Sequence, residues 1–261
     1  ESRLMALFKG QNLEKIGPVR SSRHYFLDYA LENDAIYVHY GWSPQAQYDI
    51  SNLGVNNING ISESESSFWR VKDKRAPHNV ATSTAKILSI AERKGYKTTS
   101  TKESVLKYVT DEVELTDGQS AEKITIPYSY SNDVEYTYDA TTKRYQRYSK
   151  GVKETDWSTG ENITTKNIII TFAKNSVLND GENKDRQTLS NIGTLNGYYI
   201  TNGKAIKITC EKTSRSAQTV YKDLDGNEIK VNDGNTYVQI CPINAKVTIE
   251  GAEETVTEDV D

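Results

Sequence analysis

Residues 16–52 read IGPVRSSRHYFLDYALENDAIYVHYGWSPQAQYDISN, and this stretch sets the fold class. Ser21 and Ser22 precede the apolar-periodic run Tyr25, Phe26, Tyr29 and Ala30, which predicts a helix over about 23–33 with a serine N-cap. Asn33-Asp34 ends it. Ala35 to His39 is a short β-branched and aromatic run, the pattern of a buried strand. Ser43 and Pro44 then open a second helix, serine at the cap and proline at the first helical position. Helix, strand and helix in close succession predict an α/β layer, where ligands sit off the carboxyl ends of strands.

Within that layer the charges are unusual. Arg20 and Arg23 flank a helix N-terminus, where the macrodipole already presents positive charge. Free backbone N–H groups and two guanidiniums there suit a phosphate, sulfate or carboxylate. The plainer alternative is that Glu14, Asp28 or another acid pairs with them. Further on, Thr82-Ser83-Thr84 caps a third helix running to about Arg93, with Gly95 as its stop. His78-Asn79 lies in the loop just before it. Arg20, Arg23, His39, Ser43, His78 and Asn79 are therefore expected to meet on one concave surface and hold an anion.

Outside this core, Leu4 to Phe8 reads as a strand, Gly54 to Gly60 as a turn-rich connection, and Phe68 to Arg70 as a short strand. The pattern gives an N-terminal α/β domain over 1–96 and a polar connection over 97–121. A β-rich domain follows over 122–250, with an acidic tail at 251–261. In the β-rich part Ile124–Tyr130 and Asn167–Phe172 are strands. Val134–Tyr138 with Arg144–Tyr148 and Tyr198–Ile200 with Ala205–Cys210 are hairpins, the second turning at Asn202-Gly203. A third hairpin turns at Asp225-Gly226. The fold class is α+β, with the second domain a mostly antiparallel barrel or sandwich.

Composition limits the function. Net charge is −4 with 26% charged residues, so nothing marks a nucleic-acid partner. Mean hydropathy is −0.69, and no apolar run reaches the roughly 20 residues of a membrane span. The abrupt opening at Glu1 is expected of a processed or truncated product. Cys210 and Cys241 exclude a four-thiolate metal site, and their strand faces favour two buried free thiols over a disulfide. His39 and His78 alone do not make a metal site; neither a metal nor a cofactor is expected. Asp223–Glu228 and Asp180–Glu182 lack the spacing of a calcium loop. The 17 tyrosines, with Tyr136 and Tyr138 on one strand face, read as half-buried packing.

The ordered segments IGPVRSSRHYFLDYALENDAIYVHYGWSPQA, APHNVATST, YDATTKRYQRYSKGVKETDWSTGENITTKNIII, NGKAIKI and DGNEIKVNDGNTYVQICP resemble the YerB-like bacterial lipoproteins. That two-module family carries no established activity. The resemblance runs through most of residues 1–243. It implies a secreted protein on the outer face of a Gram-positive-type membrane, attached only through an N-terminal lipid anchor removed here.

No Ser-His-Asp order or nucleophile elbow is present. The expectation is a noncatalytic binding protein for an anionic envelope component or a partner protein. The alternative is an envelope hydrolase or transferase in which His39 or His78 serves as acid–base while Arg20 and Arg23 hold a charged substrate.

Overall fold

The structure, a computed structural model, describes residues 3–182 and 184–251; the acidic tail lies almost wholly outside them. It is mostly β, with three α-helices, all before residue 94. The N-terminal part runs α1 (His24–Glu32), β1 (Tyr37–His39), α2 (Pro44–Asn52), β2 (Asn57–Asn59), β3 (Trp69–Arg70), β4 (Val80–Ala81) and α3 (Thr84–Arg93). The capping serines at α2 and α3 behave as their positions dictate. Ser43 Oγ accepts from Ala46 N at 3.3 Å, and Ser83 Oγ accepts from Lys86 N at 3.3 Å.

Three expectations fail in this part. Arg23, not a serine, is the N-cap of α1, and its side chain makes no cap bond. Leu4 to Phe8 forms no strand, and Leu4, Leu7 and Phe8 stay exposed because no neighbouring edge receives them. The supposed turn at Gly54–Gly60 contains β2, which pairs in parallel with β1 from Tyr37↔Asn57 to His39↔Asn59. An asparagine-rich strand forms there because its side chains make directed bonds where β-branched residues would make contacts, Asn57 with His39 and Asn59 with Gly41 N.

After β5 (Tyr108–Val109) and β6 (Gln119–Ser120), two sheets stack. The first is built from β7 (Lys123–Ser129), β8 (Asn132–Asp139), β9 (Arg144–Ser149), β10 (Val152–Lys153), β11 (Thr164–Thr165) and β19 (Thr248–Glu250). The second is built from β6, β12 (Asn167–Val177), β13 (Gln187–Ser190), β14 (Gly193–Thr201), β15 (Lys204–Lys212), β16 (Val220–Lys222) and β18 (Thr236–Pro242). Short β17 (Val231–Asn232) leaves the third hairpin to pair in parallel with β5. The sheets do not close into a barrel; the arrangement is sandwich-like.

Alternation along β12 explains the layering. Ile168 and Ile170 enter the core between the sheets with Ile124, Ile126, Tyr136, Tyr145 and Cys241. Ile169 points the other way, into a second core with Tyr199, Ile208, Cys210, Tyr221 and Val231. The connection contributes to that second core through Val105, Leu106 and Leu115. One face of the second sheet is therefore covered by the sandwich partner and the other by the connection. Cys210 and Cys241 thus belong to different cores, and both are free thiols, pushed up to about 12 by burial. The Asn202-Gly203 hairpin turns with φ of 50° and 72°, the left-handed pair its type requires.

Candidate functional site

The sequence-predicted residues lie on adjoining segments, with their side chains engaged in different contacts. The segment carrying Arg20 runs alongside the end of β1: Tyr40 N donates to Arg20 O (2.9 Å), Ser22 N to Gly41 O (2.9 Å) and Ser43 N to Ser22 O (3.2 Å). Arg20 and His78 do meet, Arg20 Nη1 lying 2.7 Å from His78 Nδ1. Arg23 turns back on its own chain and donates to Ser22 O at 2.9 Å. Asn79 Oδ1 accepts from Arg70 Nη1 at 2.8 Å. Ser43 is wholly buried as the α2 cap, and His39 is 1% exposed. So Arg20 and His78 form a surface pair, whereas Ser43, His39 and Asn79 are engaged in holding the fold.

His39 has the more consequential position. Its Nδ1 faces Gly41 O at 2.8 Å and its Nε2 faces Asn57 Oδ1 at 3.1 Å. Both partners are oxygen acceptors: Nδ1–H donates to Gly41 O, and Nε2 can bond Asn57 Oδ1 only when it too carries a proton. Burial holds the ring's pKa below its ordinary 6.5, although the bonds to Gly41 and Asn57 act in the opposite sense. The imidazole also packs against Trp42, ring centroids 5.7 Å apart and tilted by 38°. His39 therefore fixes the backbone, an amide and an indole at once.

Those groups line a cleft of about 240 Å³ between α2, β2 and the end of α3. Trp42, Gln47, Ile50, Asn57, Asn59 and Lys94 form most of its wall, with Ser51 and Ser62. Asn57 and Asn59 are two apart on β2, so their side chains share a face. Asn59 Oδ1 accepts from Gly41 N (2.9 Å) and Ile61 N (3.2 Å), and its Nδ2 makes no protein hydrogen bond among the described residues. Trp42 is 37% exposed, large for an indole held by its neighbours. Gly60, which follows β2, lies where a Cβ would come within 2.5 Å of the Phe68 ring, so the strand can end tightly under the cleft only with glycine there.

Sequence reading found His39 and Ser43 but missed Trp42, Asn57, Asn59 and Lys94. The available signals were an aromatic between a strand end and a helix cap, and asparagines in alternation. The calcium alternatives resolve locally. Asp223 Oδ1 accepts from Asn227 N (2.8 Å) and Asp225 N (3.0 Å), closing its own turn, while Asp180 pairs with Arg186.

A second polar cluster joins the two parts of the chain. Asp28 and Glu32, one helical turn apart on α1, both face the β-rich part. Arg215 donates to Asp28 Oδ1 (2.6 Å) and Asp49 Oδ2 (2.7 Å), and Asn191 Nδ2 donates to Asp28 Oδ2 (3.0 Å). Lys212 Nζ donates to Glu32 Oε2 at 2.7 Å, where Thr219 adds its N–H and hydroxyl. The Lys212 and Glu32 side chains are 2% and 3% exposed, so this is a buried ion pair, with three donors converging on Glu32 Oε2. Elsewhere between the two parts Trp157 Nε1 donates to Asp73 (2.7 Å), and Lys15 lies 4.3 Å over the Trp157 ring.

No helix among the described residues is long and apolar enough to cross a membrane. Comparison with known proteins places the chain. A protein named "Putative lipoprotein YerB" from Bacillus subtilis is 30% identical over 249 residues, covering 92% of this chain and 71% of that protein. The crystal structure of YerB from Bacillus subtilis superposes with a TM-score of 0.79 at 30% identity, covering 92% of this chain and 80% of that one. Residues 1–97 match the N-terminal domain, and residues 124–238 the C-terminal domain, of the proteins of unknown function grouped as DUF3048. The chain belongs to this DUF3048 family, of which YerB is a relative.

Proposed function

We propose that this chain is the folded part of an extracytoplasmic lipoprotein that binds an anionic component of the cell envelope without transforming it. The single observation behind this reading is the cleft beside Trp42, where an exposed indole and two asparagine amides stand near Lys94. Such a mixture of one apolar face, a few fixed polar groups and one charge suits recognition of a small polar ligand. The name of the relative YerB supports the envelope location. Net charge is −4, so attraction to an anionic polymer must come from a local arrangement and not from the whole surface.

Co-sedimentation of the purified chain with bacterial wall sacculi tests this. The expected result is retention that weakens as salt rises and as Lys94 is replaced by Glu. A chain that stays in the supernatant at low salt overturns the reading.

A further inference from the structure

We propose that the cleft beside Trp42 takes one pyranose ring that carries a carboxylate. This inference rests on the envelope-binding reading and names its ligand class. A volume of about 240 Å³ is below the range of about 300–1,000 Å³ that holds drug-sized ligands, and so suits a single ring-sized group. A pyranose has an apolar face of C–H bonds and an equatorial rim of hydroxyls, and the wall provides a partner for each. Trp42 lines the cleft with its indole, which packs against the His39 ring. Asn59 has both oxygen bonds satisfied internally, so its Nδ2 is oriented as a donor to a ligand acceptor.

Asn57 and the hydroxyls of Ser51 and Ser62 can serve the rim, each as donor or acceptor. Ile50, 6% exposed, provides a small apolar contact of the kind an N-acyl methyl would meet. Lys94 is the one cation in the lining, and it caps α3 at its C-terminal end. A single ammonium matches one carboxylate. A phosphodiester polymer, by contrast, repeats its charge at intervals and calls for several cations along a groove. The asparagine amides, not guanidiniums, make up most of the polar lining, which also favours hydroxyl and amide partners over phosphate.

The test follows the three tryptophan indole N–H signals and the asparagine side-chain amides of the whole chain by ¹H–¹⁵N NMR. The probes are N-acetylmuramic acid, N-acetylglucosamine, lactate and glycerol phosphate. The expected result is a saturable shift of the Trp42 and Asn59 signals with both sugars, stronger for the acid, and none with lactate or glycerol phosphate. Trp42→Ala, read on Asn59, weakens the acid by at least about tenfold, as for an aromatic at the centre of a site. Lys94→Met weakens the acid more than the neutral sugar, lowering the preference for the acid by up to about fivefold, the scale of an exposed ion pair.

Response to lactate alone or to glycerol phosphate in place of the sugars overturns the ligand class. So does sugar binding that Trp42→Ala leaves intact. A chain that sediments with sacculi but shifts with neither sugar keeps the envelope reading and loses this one. A chain that does neither loses both.

Discussion

The two parts of this molecule are stabilised by different chemistry. The sandwich is filled with large apolar and aromatic groups: Ile124, Ile126, Ile168, Ile170, Ile200, Tyr136 and Tyr145 are each fully buried. In the N-terminal part the apolar groups split into two small clusters, one around Leu27, Tyr37 and Ile50 and one around Ile58, Phe68 and Ile90. The same part also buries Ser22, Asp28, Glu32, His39, Ser43, Asp49 and Asn59. The sandwich owes its shape to area removed from water. The helical part owes much of its shape to directed bonds, several of which originate on the sandwich. A surface built from directed bonds can place polar side chains in a cleft, which is what Trp42, Asn57 and Asn59 do. The same surface is the more sensitive to loss of one partner.

Lys212→Met strikes that dependence hardest. It leaves the Glu32 carboxylate buried without its cation, a situation that costs about 3–5 kcal/mol. Thr219 still donates twice to Glu32, so the loss is expected toward the lower end of that range. Combining it with Glu32→Gln removes the stranded charge and restores most of the stability. Urea unfolding of the wild type and the two variants checks both steps. If the double variant is as unstable as the single one, packing and not charge holds α1 to the sandwich, and the contrast between the two parts weakens.

Ser43→Ala is a smaller cut in the same region. Removing a cap oxygen costs about 0.5–2 kcal/mol, here from the bond to Ala46 N. Its loss is expected to raise amide exchange along Pro44–Asn52 while leaving Asn167–Val177 protected. Equal deprotection of both elements would mean that the chain opens as one unit and that the two chemistries are not separable.

How much of this could be read beforehand follows from the same division. Short-range devices were legible: Ser43-Pro44, Ser83 with Gly95, and the Asn202-Gly203 turn each encode a backbone conformation within a few residues. The apolar run Ile168, Ile169 and Ile170 announced a core strand. What failed was non-local. The parallel pairing of β18 on β12, Asn167↔Thr236 through Ala173↔Pro242, leaves no periodic trace that separates it from an antiparallel neighbour. Asn57 and Asn59 read as turn formers because asparagine competes with the ladder through its own side chain; in the fold that competition is directed to His39 and Gly41. Asp28 and Glu32 offered a clue. Two acids one turn apart on a helix that contains no lysine or arginine imply cations elsewhere in the chain, and Arg215 and Lys212 supply them.

The mildest way to separate the two parts is acid. All three histidines precede residue 79, so on mild acidification no histidine titrates in the sandwich. Burial lowers the pKa of His24 below its ordinary 6.5, outweighing Asp49, which acts to raise it; His39 is lowered for the same cause. His24 has Nε2 on Thr188 Oγ1 at 3.0 Å, and its Nδ1 is buried with no hydrogen-bond partner, a site for a neutral ring and not for an imidazolium. The sign follows from linkage. Each ring takes a proton more readily unfolded than folded, so the stability it contributes is fully present above about 6.5 and declines as pH falls through the folded-state value. Amide exchange at pH 7 and pH 5, corrected for intrinsic rates, should therefore report weakened protection in α1 and β1 and little change in β12 and β14. His24→Gln should flatten the α1 response and His39→Gln that of β1, each with a fixed loss at neutral pH. If β12 loses protection in step with α1, or if the doubly substituted chain still weakens at pH 5, carboxylates and not these two rings set the acid response. The polar character of the N-terminal part would then confer no pH sensitivity of its own.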